Sequence, residues 1–162
     1  MNYFELFSFP EKPIVDRTAL AKKYFELQRK FHPDYHTDDT EAEQFDILEL
    51  SSAVNKAFAI FKDDQKTIAY FLQTKGFLED EEKYKLPADF LMEMMEVNEL
   101  LDDGETDKVK TLISETEVQM DVQYRQILAN CGEKIEEPEL LNIKDYYYRK
   151  KYLRRILDRL ND

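Results

Sequence analysis

Glycine and proline are unusually scarce in this chain, which has three glycines and five prolines among 162 residues. Tight turns between β-strands consume these two residues, so their scarcity favours long, uninterrupted helices. Hydrophobic residues make up 43% of the sequence. That fraction can build a core at this length, in one large domain or two small ones. The composition therefore predicts an all-α fold.

Two amphipathic helices with a short loop between them are predicted in the first half of the chain. Asp16 is a suitable N-cap for a helix over 17–31, and Pro33 ends that helix. Its apolar residues fall on one helical face: Leu20, Tyr24, Leu27 and Phe31. Thr40 and Glu43 form a capping-box pattern for a long partner helix. The pair is predicted to form an antiparallel helical hairpin.

The remaining periodic segments predict further helices in two domains. A very short helix is expected at 3–7, and another begins at Asp63 or Asp64 and ends at Gly76. An acidic segment without periodicity separates these helices from three longer ones, which end near residues 103, 131 and 162. We therefore predict an N-terminal domain over 1–76, a linker over 77–86 and a C-terminal three-helix bundle over 87–162.

The tripeptide His32-Pro33-Asp34 lies in the loop of the predicted hairpin. One interpretation is a plain turn, in which proline fixes φ and the aspartate caps the loop. Another is a metal site formed with His36, but Pro33 breaks the helical spacing that would bring the two imidazoles together. The helix before the loop also carries a solvent-facing basic stripe: Lys22, Lys23, Arg29 and Lys30. A positive stripe in an acidic chain favours a docking surface over an ordinary solvated face.

The first helix of the predicted C-terminal bundle has more apolar residues than its core face needs. At 100° per residue, four of them form a narrow core wedge: Phe90, Met94, Val97 and Leu101. Leu91, Met92 and Met95 lie outside this wedge, on a side shared with Glu96 and Glu99. Either another helix covers this side, or it is an apolar binding surface rimmed by carboxylates, to which flexible methionines are suited.

These segments resemble a known family. Tyr24, Leu27 and Phe31 before His-Pro-Asp, with the run 55–58 in the following helix, resemble the J-domain family. The opening run 3–7 and the run 88–93 resemble one branch of it, the iron–sulphur cluster co-chaperone HscB. The basic stripe departs from the J-domain pattern at two positions, Phe25 and Glu26.

The resemblance implies a regulatory binding protein and not an enzyme. His32, Pro33, Asp34 and the basic stripe would dock on the ATPase domain of a DnaK/HscA-type chaperone and promote ATP hydrolysis there. The surface of Leu91, Met92, Met95, Glu96 and Glu99 would bind an IscU-like scaffold protein, with Tyr152 at its border. The chain itself would need no cofactor or metal. Two alternatives stay open: a J-domain protein of another branch with a different client, and a small helical enzyme that uses His32 and Asp34 as an acid–base pair.

Charge and composition restrict the partners and the location. The formal net charge of −12 disfavours nucleic acid as a general partner. The last helix is basic, and we expect it to neutralise the helix before it, predicted over 105–131, whose acidic residues lie between 105 and 121. No apolar run approaches the ~20 residues that span a bilayer, and no secretory signal is visible at the N-terminus. The single Cys131 is expected in the core and suits a reducing cytoplasm.

Overall fold

The computed structural model describes residues 1–162, and its regular structure is helical throughout. The seven α-helices are α1 (Tyr3–Leu6), α2 (Arg17–Phe31), α3 (Glu41–Phe61), α4 (Asp64–Thr74), α5 (Ala88–Asp102), α6 (Thr106–Asn130) and α7 (Glu137–Leu160). A single 3₁₀ turn, Pro33–Tyr35, lies between α2 and α3. The predicted all-α fold class is confirmed. Contacts within the chain group it into two compact units, Met1–Lys75 and Gly76–Asp162.

Local capping explains where the helices of the first unit begin and end. The Asp16 side chain accepts a hydrogen bond from the backbone N–H of Ala19 at the start of α2. Thr40 and Glu43 form the predicted capping box at the start of α3. Gly76 follows α4 with a φ of +77°, a left-handed conformation that costs glycine little and other residues more. These signals are local in sequence, which is why the sequence was sufficient to predict them.

The first unit has an aromatic core behind the α2–α3 hairpin. Phe4, Phe61 and Phe71 are fully or almost fully buried, and the ring centroids of Phe4 and Phe61 lie 5.1 Å apart. On the hairpin itself, the rings of Tyr24 and Phe58 stack at 4.0 Å. This packing fixes α2 and α3 side by side and antiparallel, so the loop that joins them has a defined position.

The second unit is a bundle of α5, α6 and α7. Its core is formed by one stripe from each helix: Phe90, Met94, Val97, Val109, Ile113, Met120, Leu153 and Ile156. Residues 77–87, ahead of α5, form no helix or strand, yet part of this segment lies against α7. The rings of Tyr84 and Tyr148 stack at 4.5 Å, and Glu82 accepts hydrogen bonds from Lys144 and Tyr148.

A helix that crosses a bilayer must be both long and apolar. None of the seven combines sufficient length with sufficient hydropathy to span a membrane.

Candidate functional site

The His32-Pro33-Asp34 tripeptide lies at the corner between α2 and α3 and is open to solvent. The side chain of Asp34 is 86% exposed and that of His32 is 46% exposed. The sequence predicted a simple polar loop here, whereas the structure has a 3₁₀ turn that begins at Pro33. Proline suits that position because its fixed φ is compatible with helical backbone and its missing N–H is not needed there.

The imidazole of His32 is oriented by its own turn. Its Nδ1 accepts a hydrogen bond of 3.3 Å from the backbone N–H of Asp34. A neutral imidazole that accepts at Nδ1 carries its proton on Nε2, so Nε2 is a hydrogen-bond donor. The corner therefore presents one donor, on His32, and one acceptor group, the Asp34 carboxylate. This pairing suits docking to complementary groups on another protein.

The two alternative uses of these side chains are weakly supported. The Nδ1 atom of His32 lies 3.6 Å from the Asp34 carboxylate, which is beyond hydrogen-bond range for an acid–base pair. No group of three or more His, Cys, Asp or Glu side chains is placed to hold a metal ion. Both ring nitrogens of His36 are engaged within the loop, so this residue is not directed toward His32 as a second ligand.

His36 and Gln44 hold the loop to the two helices, a role that the sequence did not reveal. His36 Nε2 lies 2.8 Å from the backbone oxygen of Lys30, at the end of α2, and its Nδ1 lies 2.8 Å from the Asp39 carboxylate. The hydrogen bonds with Lys30 and Asp39 raise the pKa of His36 above its ordinary value. From α3, the Gln44 amide donates to the backbone oxygens of His36 and Thr37. The corner is thus fastened from both sides.

The predicted basic stripe on α2 is solvent-facing but not uniformly free. Lys22, Arg29 and Lys30 are exposed. Lys23 is half-buried, and its Nζ lies 3.7 Å from the carboxylate of Glu26, one of the two positions that depart from the J-domain pattern. One cation of the stripe is therefore already paired within α2.

The second departure, Phe25, is also on the surface. Its side chain is 72% exposed, and on the helix it lies between Lys22, three residues before it, and Arg29, four residues after it. An aromatic ring therefore occupies the middle of the stripe where another cation would fit. The stripe is a mixed apolar and basic surface.

The structure separates the two apolar faces of α5 as the helical spacing predicts. Phe90, Met94 and Val97 are at most 4% exposed, whereas Met92 and Met95 are 67% and 62% exposed. Leu91 is 37% exposed, and Leu101, predicted in the core wedge, is partly buried. We call Leu91, Met92 and Met95, with the exposed carboxylates of Glu96 and Glu99, the α5 patch. No other helix covers the α5 patch, so the alternative in which a neighbouring helix buries it is wrong.

Tyr152 of α7 lies at the flank of the α5 patch. Its hydroxyl accepts a hydrogen bond of 3.2 Å from the Asn98 side chain, and its ring packs at right angles to Phe90, with centroids 5.9 Å apart. Asn98 is three residues after Met95 on α5, so the two share one side of that helix. The predicted placement of Tyr152 at the border of the patch is thus compatible with the contacts of Asn98, a residue that the sequence analysis did not single out.

The last helix neutralises α6 less than expected. Only Lys150 pairs with α6, at 3.1 Å from Asp121 and 3.9 Å from Glu117. Three other α7 cations pair elsewhere: Lys144 with Glu82, Arg149 with Asp145 and Arg159 with Asp102. Carboxylates outside α6 therefore pair with more of the α7 cations than α6 does: one lies in the segment ahead of α5, one at the end of α5 and one on α7 itself.

The sequence analysis predicted the single cysteine in the core, and this prediction is wrong. Cys131 caps the end of α6, is partly buried, and its Sγ lies 3.1 Å from the backbone oxygen of Ile127. The helix ends one residue before the point that its apolar periodicity suggested, and Cys131 becomes its C-cap residue.

Comparisons with other proteins converge on one family. Residues 86–161 match the family model described as the HSCB C-terminal oligomerisation domain. A co-chaperone protein HscB homolog from Shewanella baltica is 38% identical over 104 residues, a match that spans 64% of this chain and 60% of that relative. The match thus covers less than two thirds of the relative's length.

Two solved structures have the same fold. The crystal structure of the human co-chaperone protein HscB superposes with a TM-score of 0.78 at 21% identity, covering 99% of this chain and 81% of the human one. The chaperone HscB from Vibrio cholerae superposes with a TM-score of 0.65 at 24% identity, covering 99% and 96% respectively. At these identities the structural likeness establishes the fold alone.

Proposed function

We propose that this chain is a co-chaperone of the HscB family, because residues 86–161 match the model of the HscB C-terminal domain and an HscB homolog is 38% identical over 104 residues. We propose further that it carries an iron–sulphur cluster scaffold protein to a DnaK/HscA-type chaperone. The first unit would dock on the ATPase domain of the chaperone through His32, Pro33, Asp34 and the basic stripe. The second unit would bind the scaffold through the α5 patch. One observation carries this proposal: each unit has its own solvent-open surface, built from residues that its core does not need.

The chemistry at the corner supports an activator and not a catalyst. A donor imidazole and an acceptor carboxylate on a fastened turn can hold polar groups of a partner in one arrangement, because the turn loses little freedom on binding. No nucleophile–base pair accompanies them, since the only close acidic group, Asp34, is 3.6 Å from the His32 ring. The groups that cleave ATP would belong to the chaperone, and the corner would favour their active arrangement.

The α5 patch supports protein binding by its composition. Methionine side chains adapt their shape to a partner, and their burial removes apolar area from water at about 25 cal/mol per Å². The carboxylates of Glu96 and Glu99 at the rim would restrict the partner to one with basic groups in matching positions. A scaffold protein held here and a chaperone held on the first unit would meet at high effective concentration.

The decisive experiment for the first surface is His32→Gln in a steady-state ATPase assay with the chaperone. We expect stimulation to fall to the basal rate while the circular dichroism spectrum and the melting temperature stay unchanged, since His32 is half exposed. Val118→Ala is a control because this side chain is also open to solvent, 60% exposed, but lies on α6 of the second unit. Undiminished stimulation by the His32 variant would disprove docking through the corner.

The second surface is tested by Leu91→Ser with Met92→Ser. We expect the double variant to lose binding to the IscU-like scaffold, measured by calorimetry, and to retain stimulation of the chaperone in the absence of scaffold. If scaffold binding survives, the client surface lies elsewhere, as it would in a J-domain protein of another branch. Sedimentation of wild type and of the same variant tests whether the α5 patch mediates self-association. A dimeric wild type and a monomeric variant would assign the patch to that role.

An enzymatic role is the more distant alternative. It would require turnover of some substrate by the isolated chain with His32 and Asp34 as acid and base.

We propose a cytoplasmic location, which the single cysteine, without a disulfide partner, supports.

A further inference from the structure

The cations of α7 fall into two groups according to their partners. Lys144, Lys150 and Arg159 are each paired with a carboxylate of another segment, and Arg149 is paired with Asp145 one turn earlier. The other three cations are exposed and form no ion pair: Lys151, Arg154 and Arg155. We call these three the basic edge. Lys151 Nζ lies 5.9 Å from the ring centroid of Tyr148, but in a chain with a net charge of −12 none of the three cations is used by the fold in an ion pair.

One member of the basic edge, Arg155, is linked to the α5 patch by its position on α7 and by two contacts of Asn98. Arg155 lies one turn from Tyr152 and one turn from Arg159 on the same side of α7. Asn98 of α5 contacts both of those neighbours: its amide donates to the Tyr152 hydroxyl and its carbonyl oxygen accepts from Arg159, each at 3.2 Å. Because Asn98 is one turn from Met95, the surface is continuous from the methionines of α5 to Arg155 of α7.

The charges on the two sides of this surface have opposite sign. At 100° per residue, Asn98 flanks Met95 on one side of α5, and Glu99 and Glu96 flank it on the other. The apolar strip therefore has a carboxylate edge away from α7 and a guanidinium edge on α7. Charges of opposite sign on the two sides of an apolar contact fix the orientation in which a partner can bind.

We propose that the basic edge is the second half of the client surface and contacts acidic side chains of the scaffold protein. This inference rests on the proposed function of the α5 patch. The partner that fits is a folded protein with an apolar contact area, basic groups on one side of it and acidic groups on the other. The adjacency of the basic edge to exposed methionines favours a protein over nucleic acid, which has no apolar surface to match them and is repelled by the overall charge.

Arg155→Glu compared with Arg125→Glu tests the proposal. Both arginines are exposed on long helices of the second unit and lack an ion pair, and each substitution changes the net charge equally. Arg125 lies on α6, where its Nε bonds the backbone oxygen of Asp121, and it is not connected to the α5 patch. We expect Arg155→Glu to weaken scaffold binding about tenfold at roughly 0.05 M salt and much less at roughly 0.5 M, since salt screens exposed charges.

The outcomes separate this inference from the proposed function. If Arg155→Glu and Arg125→Glu bind the scaffold equally while Leu91→Ser with Met92→Ser abolishes binding, the basic edge is not part of the client surface but the α5 patch is. If wild-type protein does not bind the scaffold, the proposed function itself fails. If Arg155→Glu instead removes binding to a short DNA duplex and leaves scaffold binding intact, nucleic acid is the partner and the inference is overturned.

Discussion

The Nε2 atom of His36 lies 2.8 Å from the backbone oxygen of Lys30, across the corner that presents His32-Pro33-Asp34. The other ring nitrogen of His36 lies 2.8 Å from the Asp39 carboxylate. Both partners are acceptors, so both ring nitrogens must donate, and only the protonated imidazolium has two N–H groups. The neutral ring would set a lone pair against one of the two oxygens. The loop geometry thus favours a charged His36.

The first prediction follows from the raised pKa of His36, caused first by the Lys30 carbonyl and then by Asp39. A pKa that is higher in the folded state adds stability that is complete below the unfolded value of about 6.5. That contribution is lost as the pH rises through the folded value. We expect the loop amides to exchange with solvent increasingly fast, beyond the intrinsic effect of pH, as the pH rises from about 6 to 8.

Hydrogen exchange followed by NMR measures this loss of protection, and the His36 ring proton reports the titration directly. His36→Gln is the matched variant because its side-chain amide can still donate hydrogen bonds but does not titrate in this range. Its loop should show the pH dependence of intrinsic exchange alone. The same extra dependence in the His36→Gln protein would show that another group is responsible.

The sequence predicted the two helices that flank this loop but not the arrangement within it. The helix starts depend on Asp16 and Thr40, each of which bonds a backbone N–H three residues ahead, so the signal is contained in a short run of sequence. The His36–Lys30 and Gln44–Thr37 contacts join side chains to backbone oxygens on different segments. Such contacts depend on the tertiary position of the segments, to which residue type and periodicity give no guide.

The second prediction concerns Glu26, whose carboxylate lies 3.7 Å from Lys23, on the face of α2 that we propose docks on the chaperone. Glu26→Gln should free Lys23 and remove a negative charge that opposes an acidic partner. Exposed ion pairs are weak, typically below about 1 kcal/mol. Loss of this pair should therefore not measurably lower the stability of α2. We expect the co-chaperone concentration for half-maximal ATPase stimulation to fall about two- to threefold. A rise in that concentration would mean that the glutamate itself contacts the chaperone.

The third prediction concerns the contact between Glu82 and Lys144, whose side chains are 22% and 14% exposed and 2.6 Å apart. Lys144→Met should lower the free energy of unfolding by about 1–3 kcal/mol at neutral pH, because Glu82 would keep a charge that has lost its main partner. Urea denaturation measures this loss. Lys151→Met, at an exposed and unpaired position of the same helix, should change stability by less than about 0.5 kcal/mol.

The pH dependence of this contact has the opposite sign to that of His36. Burial acts to raise the pKa of Glu82, but the hydrogen bonds from Lys144 and Tyr148 outweigh burial and hold the pKa below its ordinary value. The stabilisation is therefore present above the unfolded value of about 4.3 and is lost as the pH falls through the folded value. Wild type and Lys144→Met should converge in stability as the pH is lowered through this range.

In the second unit, as in the first, hydrophobic periodicity predicted features within one helix but not contacts between distant segments. It separated the core of α5 from its exposed side, since both faces repeat within one helix. It did not predict that Glu82 and Tyr84 lie on α7, because this segment has no apolar period and its partners, Lys144 and Asp145, are more than sixty residues away. It also could not reveal that Asn98 connects α5 to Tyr152 and Arg159.

The fourth prediction compares two adjacent methionines of α5, which are chemically identical and differ only in the side of the helix they occupy. Met94 is 1% exposed and Met95 is 62% exposed. Met94→Ala would leave a cavity in the core of the bundle and should lower the free energy of unfolding by about 2–5 kcal/mol. Met95→Ala should change it by less than about 0.5 kcal/mol. The two variants are measured by urea denaturation and by titration with the scaffold protein.

Binding should show the reverse order. Met95→Ala removes an apolar contact from the centre of the α5 patch, and we expect it to weaken scaffold binding about tenfold, the size of effect found for central interface residues. Met94→Ala, measured where the bundle is still folded, should bind within about twofold of wild type, since its side chain does not reach the surface. If both variants weaken binding in proportion to their loss of stability, binding depends on the rigidity of the bundle and not on contact with the α5 patch. That pattern would contradict the assignment of the patch as the client surface.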